Sequence, residues 1–269
     1  MLNVNAQYQG TIPEFYHRYL GPVMFEPYAS DLARRVSVPG AGSTLEIACG
    51  TGRLTRQLRK HLPPSTRLVA TDLNEPMIDY ARRQLTDAGD IEWKPADATK
   101  LPFVNASFDA VACGFGVMFF PDKNAAFGEM RRVLRDNGLL AFNVWGALQH
   151  NPYARIAHET VATFFPEDPP DFFNVPFGFD DREVLRGLLS TNGFGDIDFH
   201  WVTHEAQSDS ARAFAVGLIQ GYPVSIAIQQ RGSAIDPIVE AVAAALARFG
   251  GDSPFRSTMS ALVVTARAL

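Results

Sequence analysis

The chain has 269 residues, of which 46% are hydrophobic and 20% are charged, and its formal net charge is −5. This balance is typical of a globular protein, and an acidic chain without a long basic run argues against an extended nucleic-acid interface. No apolar stretch reaches the roughly 18 residues that a membrane-spanning helix needs. The polar first ten residues lack the pattern of a secretory signal, and two cysteines are too few for a disulfide framework, so a cytoplasmic location is expected.

The N-terminal part of the chain has helical spacing. Apolar residues between Ile12 and Val36 predict two short helices that are broken at Gly21-Pro22, and residues 38–43 are predicted as a turn. We expect residues 1–37 to form a helical lid without a role in a sheet.

A glycine-rich turn follows the first apolar run. The stretch Leu45-Glu46-Ile47-Ala48-Cys49-Gly50-Thr51-Gly52 predicts a strand and a tight turn, and a helix is predicted over 53–61. Glycine has no Cβ, so the backbone can approach a ligand closely, and the first turn of a helix offers free N–H groups. This pattern favours a nucleotide-type cofactor site over a plain connection.

Strands and helices then alternate. The strands are predicted at 67–72, 91–95, 109–113 and 139–145, and the helices at 75–88 and 125–134. Such alternation predicts a parallel sheet with helical crossovers.

The second half of the chain breaks this alternation. Residues 146–180 are rich in aromatic residues and proline, and 205–257 contains two predicted helices, 207–221 and 235–249. A helix at 181–192 and strands at 197–202 and 259–266 flank these segments. We expect 146–180 and 205–257 to fold together as a cap on one domain that spans 1–269.

The glycine turn does not match a dinucleotide site well. That fingerprint needs a third glycine, and Thr55 stands there instead, although Asp72 follows at about the required distance. A nicotinamide or flavin cofactor therefore stays open as an alternative. The pattern Glu46-x-Ala48-x-Gly50-x-Gly52 resembles the first motif of the class I S-adenosylmethionine-dependent methyltransferases, with alanine where that family most often has its first glycine.

The resemblance covers residues 44–145 closely. It implies that Asp72 accepts hydrogen bonds from both ribose hydroxyls and that an acid in the third motif, Asp97, meets the adenine amino group. The residues that it assigns to S-adenosylmethionine, or to the product S-adenosylhomocysteine, are Glu46, Ala48, Cys49, Gly50, Gly52, Asp72, Leu73, Met77, Asp97, Ala98, Thr99, Cys113 and Phe115. Tyr16, on the predicted lid, is added to this set.

The resemblance also implies a fold and an activity. The fold is α/β, a Rossmann-like seven-stranded sheet whose last strand, 259–266, is antiparallel, with a helical cap from the insertions. The similarity is strongest to the small-molecule branch that includes quinone-biosynthesis C-methyltransferases. We therefore expect methyl transfer by in-line displacement to carbon or oxygen of a small, apolar or aromatic acceptor, by a monomer or a homodimer. A non-catalytic cofactor-binding member is the main alternative.

The chemistry of a sulfonium methyl group needs no nucleophile–base pair, because positioning in a water-poor pocket is the main requirement. An O–H acceptor needs a general base, for which His150 and His158 are the candidates expected at the carboxyl edge of the sheet and His17 and His204 are further ones. Trp145 either forms a wall of the pocket or packs in the core. The aromatic residues of 146–180 leave the same two possibilities open. No cluster of acids resembles a metal site, so no metal is expected.

Overall fold

The structure is a computed structural model that describes residues 4–36 and 42–269. Its seven strands form one sheet in the order β3-β2-β1-β4-β5-β7-β6. The strands are β1 (Ser43–Ile47), β2 (Arg67–Asp72), β3 (Glu92–Pro95), β4 (Phe108–Gly114), β5 (Leu134–Trp145), β6 (Phe194–Ser208) and β7 (Phe255–Ala268). The pairs β1–β2, β1–β4, β2–β3 and β4–β5 are parallel, and β7 is antiparallel. This confirms the predicted α/β fold.

Ten α-helices accompany the sheet in the described part of the chain. They are α1 (Ile12–Phe15), α2 (Glu26–Val36), α3 (Arg53–His61), α4 (Glu75–Gln84), α5 (Lys123–Val133), α6 (Pro152–Ala162), α7 (Arg182–Thr191), α8 (Ala211–Gln220), α9 (Val224–Gln230) and α10 (Ile235–Gly250). Short 3₁₀ turns lie at Val4–Ala6, Val117–Phe119, Leu148–His150 and Phe172–Asn174.

The predicted break at Gly21-Pro22 is wrong. A π-helix, Tyr16–Phe25, joins α1 to α2, and the N–H of Glu26 donates to the carbonyl of Gly21 five residues earlier. Proline lacks an N–H and its ring crowds the preceding turn of an α-helix, and the wider π turn accommodates it without ending the helix. The outer limits of the predicted lid, residues 1–3 and 37, and most of the predicted turn at 38–43 lie outside the described residues.

Other boundaries differ because side chains decide where helices begin. The predicted helix 207–221 starts later, at Ala211, because β6 continues to Ser208 and the Ser210 hydroxyl caps the helix by accepting from the N–H of Ala213 at 3.0 Å. Helix α9, which the sequence did not indicate, then follows as a separate element.

The chain divides into two compact units. The first, here the sheet unit, comprises 28–36, 42–144, 180–202 and 262–269. Its core holds Leu32 and Val36 of α2 together with Leu54 and Leu58 of α3 and apolar residues of β4. Every residue of β1 is buried, as expected for a parallel strand covered on both faces.

The second, here the helical unit, comprises 4–27, 145–179 and 203–261. Helix α8 packs against the π-helix so closely that a Cβ on Gly217 would lie 2.7 Å from Cδ2 of Leu20. No single helix in the described ranges is long and apolar enough to cross a membrane. Among the described helices, only α8 and α9 taken together pass that test of length and composition, and a bend of 72° separates them.

Candidate cofactor site

The turn after β1 has an unusual backbone. Ala48 (φ 57°), Gly50 (φ 55°) and Gly52 (φ 83°) all adopt left-handed conformations. The turn is closed by the N–H of Gly52, which donates to the carbonyl of Cys49 at 3.0 Å. A left-handed residue other than glycine is strained by about 1–2 kcal/mol, so Ala48 occupies a position that suits glycine.

The two glycines of the turn serve different purposes. A Cβ on Gly50 would meet no atom within 4 Å, whereas a Cβ on Gly52 would lie 2.7 Å from Cδ1 of Leu85 and 3.2 Å from Cβ of Ala81. Gly52 therefore permits close packing near the end of α4. Gly50 borders open space, and its missing side chain leaves the backbone free to approach a ligand.

Asp72 ends β2 and connects this strand to the glycine turn after β1. Its Oδ2 accepts a hydrogen bond from the N–H of Gly50 at 2.9 Å, and its Oδ1 accepts from the N–H of Asn74 at 2.8 Å. Burial raises the pKa of Asp72, and the hydrogen bonds from Asn74 and Gly50 oppose this rise. Each carboxylate oxygen can accept more than one hydrogen bond, so both retain capacity for a ligand hydroxyl.

The environment of Glu46 favours a ligand with a hydrogen-bond donor or a positive charge. The residue is 1% exposed, and its Oε2 has no hydrogen-bond partner among the described residues. Burial raises the pKa of Glu46 to about 8, while the negative charge of Asp72 adds to the rise and Thr55 opposes it. An orphaned buried carboxylate oxygen is costly, and a cationic or N–H group of a cofactor would satisfy it.

The third motif forms a turn beside the end of β2. Oδ1 of Asp97 accepts from the N–H of Thr99 at 2.8 Å and from its hydroxyl at 2.7 Å. The N–H of Ala96 donates to the carbonyl of Asp72 at 3.0 Å, which attaches this loop to β2. Asp97 is exposed, whereas Ala98 is buried.

The two apolar residues predicted at the adenine differ in exposure. Leu73 is 52% exposed and Met77 is 3% exposed. Leu73 therefore offers an open apolar surface next to Asp72, whereas the Met77 side chain is almost completely buried.

The loop after β4 lies against the glycine turn. A Cβ on Gly116 would lie 2.5 Å from Cβ of Ala48 and 2.7 Å from Sγ of Cys113. Phe115 has a left-handed backbone (φ 55°), and its N–H donates to Oδ1 of Asn143 at 2.9 Å. Asn143 was not predicted as a site residue, although an amide within the apolar strand 139–145 was a signal.

Both cysteines are free and buried. Burial raises the pKa of Cys113 to about 12 and raises that of Cys49 well above its usual range. Protonated thiols react weakly, so Cys49 and Cys113 are small buried groups rather than nucleophiles.

The helical unit holds the predicted site residues Tyr16 and Trp145 and the four candidate bases, His17, His150, His158 and His204. Trp145 is 2% exposed and packs on Phe177 and Phe25, with ring centroids 5.9 and 6.0 Å apart. Tyr16 stacks on Phe25 at 4.6 Å. His150 is exposed at the end of a 3₁₀ turn. In the described residues no group of three His, Cys, Asp or Glu side chains could hold a metal ion.

Comparison with known proteins identifies the class. A methyltransferase-domain family matches residues 44–138. The chain is 33% identical over 176 residues to the ubiquinone/menaquinone biosynthesis C-methyltransferase UbiE of Chromobacterium violaceum. The matched region covers 62% of this chain and 72% of that protein.

Solved structures share the fold. The YcgJ protein from Bacillus subtilis superposes with a TM-score of 0.60 at 15% identity, over 90% of this chain and 98% of that one. Phosphoethanolamine N-methyltransferase 2 of Haemonchus contortus, in complex with S-adenosylhomocysteine, has a TM-score of 0.63 at 15% identity, over 100% of this chain and 60% of that one.

The chain belongs to the class I S-adenosylmethionine-dependent methyltransferases, in the small-molecule branch of the UbiE type. S-adenosylmethionine is its cofactor, and its substrate is a small molecule. The predicted family, enzyme class and cofactor are thereby confirmed over the nicotinamide and flavin alternative.

Proposed function

We propose that this enzyme methylates carbon or oxygen of a small, apolar or aromatic acceptor. The observation that carries the proposal is a connected set of rings in the helical unit, with neighbouring centroids 4.6 to 6.4 Å apart. Among its members are Tyr16, Phe25, Trp145, Phe172, Phe173, Phe177 and Tyr222. Aromatic side chains favour planar apolar partners in stacked or edge-on contact. Trp145 is assigned to this set of rings as well as to the core.

The sheet unit is proposed to hold the cofactor. Asp72 would accept from the ribose hydroxyls, Glu46 would pair with the cationic amino group, and Asp97 would accept from the adenine amino group. Support comes from the orphaned Oε2 of Glu46 and from the open space at Gly50. The remaining proposed cofactor contacts come from Ala48, Cys49, Gly52, Leu73, Met77, Ala98, Thr99, Cys113 and Phe115.

S-adenosylmethionine, when bound, supplies a methyl group that its sulfonium already activates. The task of the protein is then to orient the acceptor in line with the S–CH₃ bond and to exclude water. His150 is retained as the proposed base for an O–H acceptor, because its imidazole is exposed and belongs to the same unit as the rings proposed to contact the acceptor.

The lid role of residues 1–37 stays a prediction, and the structure changes how it must be tested. Leu20 and Met24 are fully buried in the helical unit, so deleting this segment would remove core residues. Tyr16→Ala changes only a half-buried ring, and a lid role predicts weaker S-adenosylhomocysteine binding with the fold retained.

Transfer of a labelled methyl group tests the function directly. The purified enzyme would be incubated with methyl-labelled S-adenosylmethionine and with phenols, hydroquinones and amines in parallel, and the product would be identified by mass spectrometry and NMR. A methylated phenol or hydroquinone is expected, and NMR distinguishes C- from O-methylation. Exclusive methylation of amines would contradict the proposal. Light scattering tests the expected monomer or homodimer, and fractionation of the source cells tests the cytoplasmic location.

A further inference from the structure

Tyr222 carries a buried hydroxyl with a poor partner. The residue follows α8 and is 4% exposed, and its O–H donates to Sδ of Met24 at 3.9 Å. A thioether is a weak acceptor, and no oxygen or nitrogen among the described residues accepts from this hydroxyl. Burial of a hydroxyl without a good hydrogen-bond partner destabilises a folded protein, so we expect this hydroxyl to have a role that offsets the cost.

The surroundings of Tyr222 would suit phenylalanine. The nearest rings are those of Phe172 at 5.0 Å, Tyr16 at 6.1 Å and Phe173 at 6.4 Å between centroids. Phe172 and Phe173 are themselves almost completely buried. Packing therefore accounts for the aromatic ring of Tyr222 but not for its oxygen atom.

A second polar side chain contacts the ring of Phe173. The imidazole of His158, on α6, packs edge-on against Phe173 with centroids 6.4 Å apart. Its Nδ1 is buried and has no hydrogen-bond partner within the described ranges. One phenylalanine ring thus contacts two polar side chains that the protein itself leaves without a good partner.

We propose that Tyr222 and His158 are acceptor-binding residues, with the Tyr222 hydroxyl donating a hydrogen bond to an oxygen atom on the ring of the aromatic acceptor. The inference rests on the proposed function, since it assigns acceptor recognition to the aromatic rings of the helical unit. A ligand oxygen would give the Tyr222 hydroxyl the partner that it lacks, and His158 would bind a second polar group of the same ligand. Burial raises the pKa of Tyr222, so the phenol stays protonated and acts as a donor rather than as a base.

Binding of 1,4-dihydroxynaphthalene to the enzyme saturated with S-adenosylhomocysteine tests this assignment. Tyr222→Phe removes one oxygen and keeps the ring, and it should weaken the probe about tenfold without lowering the thermal midpoint. His158→Phe keeps an aromatic contact with Phe173 and should also weaken the probe. It remains informative if Tyr222→Phe does not fold.

Tyr28→Phe is the matched control. The Tyr28 hydroxyl has an oxygen partner, the carbonyl of Val202 at 3.2 Å, so this variant should lose thermal stability and keep its affinity for the probe. Unchanged probe affinity in both Tyr222→Phe and His158→Phe would overturn the inference, as would a parent enzyme that binds S-adenosylhomocysteine but not the probe. A parent that fails to bind S-adenosylhomocysteine would instead refute the cofactor site.

Discussion

The carboxylate of Asp72 accepts a hydrogen bond from the backbone N–H of Gly50 at 2.9 Å. These residues are 22 positions apart, and the bond joins the end of β2 to the glycine turn after β1. Asp72 therefore shapes the turn that is proposed to receive the cofactor, in addition to its proposed contact with the ribose.

Asp72→Ala should weaken S-adenosylhomocysteine binding by about 10- to 100-fold, because charge-assisted hydrogen bonds contribute about 1.5–3 kcal/mol each. It should also lower the thermal midpoint, because Gly50 and Asn74 lose an acceptor. Asp72→Asn should reduce the affinity and the thermal midpoint less, since an amide keeps one acceptor oxygen. Calorimetry and thermal unfolding of each variant would separate the two effects.

Asp97→Ala should have a smaller effect and weaken the binding of S-adenosylhomocysteine by about 1 kcal/mol. Asp97 is exposed and its present partners all lie within its own turn. The loss of affinity should be larger for Asp72→Ala than for Asp97→Ala, and this order matters more than the size of either loss. Parent-like affinity in both would show that neither acid binds the cofactor.

Glu46 should make folding stability depend on pH. Its pKa is about 8 in the folded protein against an ordinary 4.5, so between these values the folded state holds a proton that the unfolded state has lost. Stability should therefore fall as the pH rises through this window, by up to about 1.4 kcal/mol per unit. Urea unfolding at pH 6 and pH 8 should show a smaller decrease for Glu46→Gln than for the parent. Equal decreases would contradict the assignment.

Cofactor binding should release a proton near neutral pH. A cationic amino group beside Glu46 favours the carboxylate and lowers its pKa, so Glu46 should lose its proton on binding. Calorimetry of S-adenosylhomocysteine binding at pH 7 in two buffers of different ionisation enthalpy measures this release. Up to one proton is expected for the parent and fewer for Glu46→Gln.

Gly50→Ala should impair ligand binding, whereas Gly52→Ala should impair stability. Gly50→Ala adds only left-handed strain, about 1–2 kcal/mol, but places a methyl group in the open space and should abolish S-adenosylhomocysteine binding. Gly52→Ala adds the same strain and a contact with Leu85 at 2.7 Å, so it should lose about 2–5 kcal/mol of stability. Thermal unfolding and calorimetry compare the two. A Gly50→Ala protein that still binds the ligand would remove Gly50 from the site.

Ala48 and Gly116 should be energetically coupled. Gly116→Ala would place its Cβ 2.5 Å from that of Ala48 and should destabilise the fold, whereas Ala48→Gly relieves backbone strain at φ 57° and should be neutral or stabilising. The double variant should be more stable than the sum of the single effects predicts. A strictly additive double-mutant cycle would show that the two loops do not touch in solution.

The local elements of this protein could be predicted from its sequence because the signals for them are local. Strand β2 and helix α3 have the predicted boundaries, 67–72 and 53–61, since apolar runs, glycines and helical spacing act over a few residues. The glycine turn indicated a cofactor for the same reason, because the conformations that Gly50 and Gly52 adopt are accessible to few other residues.

The tertiary structure decided what depends on distant partners. Pro22 does not end the N-terminal helix, because buried neighbours and a π turn hold the chain helical. The pKa of Glu46 rises only because the fold encloses a carboxylate beside Asp72. Tyr222 appears in the sequence as one more aromatic residue, and only the packing of Phe172, Phe173 and Met24 leaves its hydroxyl without an oxygen or nitrogen partner. Desolvation and partner geometry arise from residues that are far apart in the chain, and for that reason sequence patterns cannot encode them locally.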